Sequence, residues 1–197
     1  MQGQHCVIAD DAEIGEGTRI GGGKPLRRLA GERLIDHALR TAHGWSNMVA
    51  VAVRDPGQME WVNAPVIADE PNIGGPLAGL VAALRLAAKS GRAFVLTIPA
   101  DTPFLPLDLL DRLRSEIAEG NCALASSGEQ LHPICGLWRT SMLDQVATYL
   151  AGERRSLKGF ATLIGFREVE WPSEPFDPFF NINTADELAR AERRAAN

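Results

Sequence analysis

The sequence is poor in cysteine and contains no C-x-x-C pair. Its three cysteines, Cys6, Cys122 and Cys135, are widely spaced and odd in number. That pattern argues against a disulfide scaffold and indicates a reducing cytoplasm. The four histidines do not lie at zinc-binding spacing from these cysteines, which also argues against a Cys/His zinc centre.

Long apolar runs and an excess of positive charge are missing as well. No run approaches the roughly 18 residues of a membrane-spanning helix. The N-terminus lacks the basic and apolar regions of a signal peptide. A net charge of −5 argues against binding to nucleic acid. We therefore expect neither a membrane nor a nucleic acid as a partner, and a cytoplasmic location.

Short apolar runs alternate with segments of helical periodicity through the first two-thirds of the chain. This alternation predicts a three-layer α/β/α, Rossmann-like domain with a mostly parallel sheet. The length of 197 residues suits a single domain over residues 1–197. The strands are predicted at residues 5–9, 48–53, 65–68, 93–99, 121–126, 134–138 and 167–171.

The predicted helices lie between these strands. They cover residues 32–42, 107–119, 141–150 and 157–163, with one more opening at Pro76 and another after Thr184. Thr184 and Glu187 form the capping-box pattern of a helix start. The periodicity of the helix that opens at Pro76 predicts burial of Leu77, Leu80, Val81, Leu84 and Ala88.

In a sheet of this kind, ligands bind beyond the carboxyl ends of the strands. The segment after the first strand reads DDAEIGEGTRIGGGK. A P-loop requires G-x-x-x-x-G-K-[ST], but Thr18 and Pro25 stand at two of its required positions. A dinucleotide fingerprint requires a helix directly after its glycines, and here Lys24-Pro25 follows instead.

Two interpretations of this segment remain. Arg19, Gly21, Gly22 and Lys24 could surround a triphosphate with backbone N–H groups and two positive charges. The alternative is a glycine-rich surface loop without a ligand.

Carboxylates follow two other predicted strands. Asp69 comes directly after residues 65–68, and Gly75 opens the next helix, so this segment could accept hydrogen bonds from a base or simply cap the helix. Asp101 follows the most apolar strand, where a carboxylate is well placed to hold Mg²⁺. His132 lies in a polar turn, and a lone histidine is more often structural than functional.

Together these segments resemble the molybdenum cofactor guanylyltransferases among the MobA-like nucleotidyltransferases. The resemblance covers nearly the whole chain and rests on five motifs in order. They are RIGGGK at 19–24, Asp69 followed by GPLAGL at 75–80, PADTPF at 99–104, HPICGLW at 132–138 and NINT at 181–184.

The resemblance implies transfer of GMP from GTP to molybdopterin, with Mg²⁺ as the cofactor. Asp101 would be the metal ligand, and Arg19, Lys24 and Asp101 the catalytic residues. The implied nucleotide-binding residues are Ile8, Ala9, Gly21, Gly22, Lys24, Asp69, Gly75 and Asp101. The pterin side would comprise His132, Pro133, Asn181 and Asn183. Implied partners are molybdopterin, and molybdoenzymes or other proteins of cofactor biosynthesis.

The chain departs from the family pattern in two places. Where the family has L-A-G-G, it has Ile8-Ala9-Asp10-Asp11, in a longer and more acidic loop. A carboxylate about 4 Å from a phosphate charge costs roughly 1 kcal/mol in water and roughly 4 kcal/mol at an effective dielectric of 20. Residues 51–54 also lack the Asn that the guanylyl enzymes offer to the base. Two alternatives follow: a homologue that binds nucleotide or molybdopterin without transfer, or a related transferase with another acceptor.

Overall fold

A seven-stranded sheet forms the centre of the molecule, with helices on both faces. The computed structural model describes residues 4–9, 27–59 and 62–196. The strands are β1 (Gln4–Ala9), β2 (Arg28–Leu29), β3 (Glu32–Arg33), β4 (Val49–Val53), β5 (Val66–Ala68), β6 (Phe94–Pro99), β7 (Cys122–Ser127), β8 (Gln130–Arg139) and β9 (Phe166–Trp171). The helices are α1 (Leu34–Trp45), α2 (Pro76–Lys89), α3 (Leu109–Ile117), α4 (Val146–Ala151), α5 (Leu157–Ile164) and α6 (Ala185–Ala195).

The strands are ordered β5-β4-β1-β6-β8-β7-β9. β8 runs antiparallel to both of its neighbours, β6 and β7, and the other pairs are parallel. Strands β4 and β6 are buried along their whole length, as expected of strands covered on both faces. The three-layer α/β/α architecture and the mostly parallel sheet are therefore confirmed.

The two faces of the sheet bury separate apolar clusters. One cluster packs α1 and α3 against residues such as Val51 and Ile98, and the other packs α2, α4 and α5 against residues such as Val95 and Trp138. A smaller third cluster joins α6 to the β2–β3 hairpin through Ile182 and Leu29. This third cluster holds the C-terminal segment against the β2–β3 hairpin and the first residue of α1.

Most predicted elements are present, with four differences. The helix predicted at residues 32–42 starts at Leu34, because Glu32 and Arg33 form the second strand of the β2–β3 hairpin. Residues 141–150 begin as a 3-10 helix, Thr140–Gln145, before α4. The strand predicted at residues 134–138 spans all ten residues of β8. In α2 the prediction of a buried Ala88 is wrong, because Ala87 takes the inward position and Ala88 is exposed.

Candidate functional site

The carboxyl ends of β1, β4, β5 and β6 meet at one edge of the sheet. Ala9 pairs with Ala52 and Pro99, and Val53 pairs with Ala68, so the residues that follow these strands lie side by side. The N-terminal half of β8 reaches the same edge, because it runs antiparallel to β6. The strand register therefore brings the residues that follow these strands, among them Asp69 and Asp101, to this edge.

Asp69 extends the end of β5. Its backbone N–H donates to the Val53 carbonyl at 2.8 Å, which continues the β4–β5 ladder by one residue. The side chain is half-buried, and this burial raises its pKa, while the positive charge of Arg54 acts to lower it. Arg54 itself follows β4 and is exposed. A carboxylate with its negative charge partly out of water is a strong acceptor for N–H groups of a ligand.

Gly75 is the residue directly before α2, where the chain turns into the helix. Its backbone has φ 66° and ψ −165°, a conformation that is essentially restricted to glycine. Pro76 then takes the first helical position, where its missing N–H leaves no hydrogen bond unmade. A Cβ on Gly75 would meet no atom of the described residues within 4 Å. Glycine is thus required here for its backbone conformation and not for space.

Asp101 lies two residues beyond β6 and is bound to the C-terminal segment. Its backbone carbonyl accepts the Ile182 N–H at 2.9 Å. The buried hydroxyl of the next residue, Thr102, donates to Asn181 Oδ1 at 2.5 Å. These two hydrogen bonds bring Asn181 to the same edge as Asp101, although the two residues are far apart in sequence.

Asn183 is held from two sides. Arg27 Nη1 donates to its carbonyl at 3.1 Å, and its own N–H donates to Glu187 Oε2 at 2.7 Å. The capping box between Thr184 and Glu187 is present, which confirms that prediction. Burial acts to raise the pKa of Glu187, but hydrogen bonds from Asn183 and Thr184 outweigh it and lower that pKa. The segment from Asn181 to Thr184 is thus fixed before α6 begins.

His132 lies on β8 opposite Ala125 and contacts two other side chains. Its Nε2 is 2.8 Å from Ser127 Oγ, and its ring stacks on Phe179 with 4.6 Å between centroids. Ser127 Oγ also donates to Asp177 Oδ1 at 2.8 Å. Burial lowers the pKa of His132, and the charge of Asp177 acts in the opposite direction.

Pro133 belongs to an irregular part of the β7–β8 ladder. Leu124 pairs with Gly136 and the next residue, Ala125, pairs with His132, so residues 133–135 are inserted on the β8 side. This insertion adds backbone at the edge of the sheet beside His132, and Pro133 itself is half-buried. Bulges of this kind commonly re-aim side chains near functional sites.

The sequence did not single out Ser127, Asp177, Phe179 or Arg27. They come from segments that no motif marks, and their contacts with the site join residues up to 156 positions apart. Ser127 belongs to a strand end rich in small residues, which carries no signal of its own.

Four predicted site residues, Arg19, Gly21, Gly22 and Lys24, lie outside the described residues. For Ile8 and Ala9, the structure gives their place in β1, between β4 and β6. Ala9 ends β1 at the same edge of the sheet as Pro99.

Asp101 is the candidate metal ligand. Within residues 27–59 and 62–196, no group of three or more His, Cys, Asp and Glu side chains comes together as a metal site. Mg²⁺ is commonly bound by one or two protein carboxylates together with substrate phosphates, so the single carboxylate of Asp101 is compatible with this ion. In the same described ranges, no helix has the length and apolar character needed to cross a bilayer.

The fold is that of nucleotidyltransferases. A crystal structure titled molybdopterin-guanine dinucleotide biosynthesis protein A, from Archaeoglobus fulgidus, superimposes with a TM-score of 0.76 and 24% identity, covering 97% of this chain and 98% of that one. A 4-diphosphocytidyl-2C-methyl-D-erythritol synthase from Anaerococcus prevotii gives a TM-score of 0.75 at 11% identity, with 100% and 97% covered.

The sequence comparison defines the family more narrowly. The family model of the MobA-like NTP transferase domain matches residues 15–164. A protein from Nitrobacter hamburgensis named molybdenum cofactor guanylyltransferase is 38% identical over 190 residues, which cover 92% of this chain and 91% of that protein. One of the same name from Bradyrhizobium sp. is 40% identical, with 92% and 90% covered. The chain belongs to the MobA-like NTP transferase family.

Proposed function

We propose that this protein is a molybdenum cofactor guanylyltransferase, which transfers GMP from GTP to molybdopterin and releases pyrophosphate. The names of its relatives support this function. The observation that carries it is the hydrogen bond from the Ile182 N–H to the Asp101 carbonyl. Through this bond, the C-terminal segment that contains Asn181 and Asn183 lies beside Asp101, the candidate metal ligand, at the edge of the sheet. This segment would contact molybdopterin, the acceptor of the GMP group.

Asp69 and Gly75 form what we call the nucleotide side of the site. The Asp69 carboxylate would accept hydrogen bonds from N1–H and the 2-amino group of guanine. Adenine presents an acceptor at N1 and no amino group at position 2, so it cannot make this pair of hydrogen bonds. Gly75 supplies the backbone conformation by which the chain turns into α2 beside Asp69. This arrangement would select guanine by the polarity of its edge.

Asp101 would hold Mg²⁺, which supplies neutralisation of the phosphate charges when bound. Arg19 and Lys24 would bind the β- and γ-phosphates. The chemistry is a displacement at the α-phosphate, in which a new P–O bond to the acceptor forms as the bond to pyrophosphate breaks. Positioning and charge stabilisation carry the rate of such reactions. The protein's task is therefore to hold two substrates in line.

His132, Pro133, Asn181 and Asn183, with Phe179 behind them, form what we call the acceptor side. The contacts of Thr102 with Asn181 and of Arg27 with Asn183 would present this side to molybdopterin. We further propose that the protein is cytoplasmic and folds as one domain over residues 1–197. Its partners would be other proteins of cofactor biosynthesis or molybdoenzymes, from which it receives its acceptor or to which it passes its product.

Calorimetric titration of the purified protein with GTP and Mg²⁺ tests this proposal. We expect binding that Asp101→Ala weakens and that Asp144→Ala leaves unchanged. Asp144 is an exposed carboxylate in the 3-10 helix after β8, at the opposite edge of the sheet. Absence of GTP binding would contradict the proposed function. Binding without pyrophosphate release in the presence of molybdopterin would favour a homologue that has lost transfer.

A further inference from the structure

Ser127 links His132 to Asp177 by two hydrogen bonds of the same length. Its Oγ lies 2.8 Å from His132 Nε2 and 2.8 Å from Asp177 Oδ1. Asp177 Oδ1 also accepts the Phe179 N–H at 2.9 Å, and the Phe179 ring stacks on His132. Ser127 is only 1% exposed, so water does not compete for its hydroxyl. The contacts form a closed group of four residues.

The positions of the protons in this group follow from the number of donors available. An ionised carboxylate only accepts, so the single hydroxyl proton of Ser127 is committed to Asp177. The Ser127 oxygen must then be the acceptor in its contact with His132, and the proton must lie on Nε2. In a neutral imidazole with Nε2–H, the other nitrogen, Nδ1, carries a lone pair. The hydrogen bonds therefore select one tautomer.

The lone pair of Nδ1 is directed away from the buried serine. The two nitrogens lie on different edges of the ring, and the Nε2 edge faces Ser127, while one ring face is covered by Phe179. The ring is half-buried, and among residues 27–59 and 62–196 Nδ1 makes no hydrogen bond. Its neighbour Pro133 begins the insertion at the edge of the sheet. Nδ1 is thus a hydrogen-bond acceptor that belongs to the residues proposed to meet molybdopterin.

We propose that Asp177 and Ser127 are positioning residues that hold His132 as its Nε2–H tautomer, so that Nδ1 accepts a hydrogen bond from an N–H group of the acceptor substrate. This inference rests on the proposed function for the identity of that substrate. A lone pair repels phosphate oxygens and attracts N–H donors, so His132 would contact the pterin ring and not the phosphate of molybdopterin. Neither Ser127 nor Asp177 would touch the substrate.

The tautomer is tested by ¹⁵N NMR of the imidazole nitrogens in the full-length protein, without any substrate. We expect Nδ1 to resonate as an unprotonated nitrogen and Nε2 as a protonated one at neutral pH. Ser127→Ala should move both shifts toward the average of mixed tautomers. Ser126→Ala is the matched control, because Ser126 is equally buried at 1% exposure and its Oγ has no hydrogen-bond partner among the described residues. Protonation of Nδ1 in the unmodified protein would overturn the inference.

Contact with the substrate is tested by steady-state kinetics with GTP and molybdopterin. We expect Ser127→Ala to raise the KM for molybdopterin about tenfold, which corresponds to the loss of one modest hydrogen bond, and to leave the KM for GTP unchanged. Ser126→Ala should change neither constant. Equal rises in both constants would overturn the assigned contact with the acceptor. Absence of transfer in the unmodified protein would count against the proposed function, whereas the NMR result decides the tautomer separately.

Discussion

On the nucleotide side, Asp69 and Gly75 take their positions from the backbone, whereas on the acceptor side His132 is held by side chains from two other segments. Asp69 is placed by a ladder hydrogen bond to Val53, and Gly75 by its own φ and ψ. His132 is fixed by a hydrogen bond to Ser127 and by stacking on Phe179. The first arrangement leaves the Asp69 carboxylate available to a ligand, and the second fixes a ring before any ligand binds.

Glycines show the same difference between the two sides. Gly75 has no described residue close to its Cβ position and has an unusual backbone conformation. Gly136 on β8 has the reverse, because a Cβ there would lie 2.6 Å from Leu124 Cδ2 and 2.9 Å from Trp138 Nε1. Both neighbours are fully buried, so a shift of either side chain would disturb the close-packed core. The acceptor side thus depends on packing, and the nucleotide side on local conformation.

Gly136→Ala should have the largest effect of the changes considered, because it overpacks the β7–β8 ladder beneath His132. We expect a loss of about 3 kcal/mol in the free energy of unfolding, measured by urea denaturation. Gly44→Ala in α1 serves as the control, since a Cβ there meets nothing within 4 Å and should stabilise the helix by about 0.5 kcal/mol. A Gly136→Ala protein as stable as the unmodified one would contradict the packing argument.

Asp69→Asn should weaken GTP binding about 30-fold, a loss of about 2 kcal/mol, because the amide replaces one charged acceptor oxygen with a donor. Calorimetry with GTP and with ITP, which lacks the 2-amino group, measures this loss. The loss should be smaller for ITP than for GTP. Equal losses for the two nucleotides would show that Asp69 does not contact the 2-amino group.

Gly75→Ala should cost about 1.5 kcal/mol of stability, since alanine is strained at φ 66° and ψ −165°. An added Cβ meets no atom of residues 4–9, 27–59 and 62–196 within 4 Å, so the expected cost is the strain of the backbone. Urea denaturation of this variant beside Gly44→Ala separates strain from the general effect of adding a methyl group. A gain in stability at both positions would show that the conformation of Gly75 is not strained for alanine.

The smallest effect is the dependence of stability on pH through His132. Its pKa in the folded protein lies below the ordinary value of 6.5, chiefly through burial, with Asp177 as the opposing charge that faces it. As the pH falls below about 6.5, the unfolded chain therefore binds the proton first, and the free energy of unfolding decreases. His132→Phe keeps the stack on Phe179 and should lose less stability between pH 7.5 and pH 5.5. An equal loss in both proteins would contradict this assignment.

The sequence predicts the nucleotide side more completely than the acceptor side. Apolar runs such as those of β4 and β6 mark the strands, and the residues after each strand must meet at one edge, so Asp69 and Asp101 could be placed from the alternation alone. The pairing of Ser127 with Asp177 spans 50 residues. The register shift at residues 133–135, next to His132, has no local signature either.

The small β2–β3 hairpin could not be predicted from the local sequence either. The chain turns between the two-residue strands β2 and β3 at Ala30, which adopts φ 51°, and two residues are too few to give a readable alternation of apolar and polar side chains. Their formation depends on contacts of Leu29 with Ile182 and α6 in the third cluster. Tertiary contacts, not the local sequence, therefore decide where this hairpin ends and α1 begins.

Release of pyrophosphate from GTP is the most direct test of the central claim, that this edge of the sheet joins a guanine nucleotide to molybdopterin. The assay contains the purified full-length chain, GTP and Mg²⁺, with and without molybdopterin. We expect pyrophosphate release that requires molybdopterin and is lost in Asp101→Ala but not in Asp144→Ala. Binding of GTP with no pyrophosphate release on addition of molybdopterin would contradict the claim that this edge joins the two substrates.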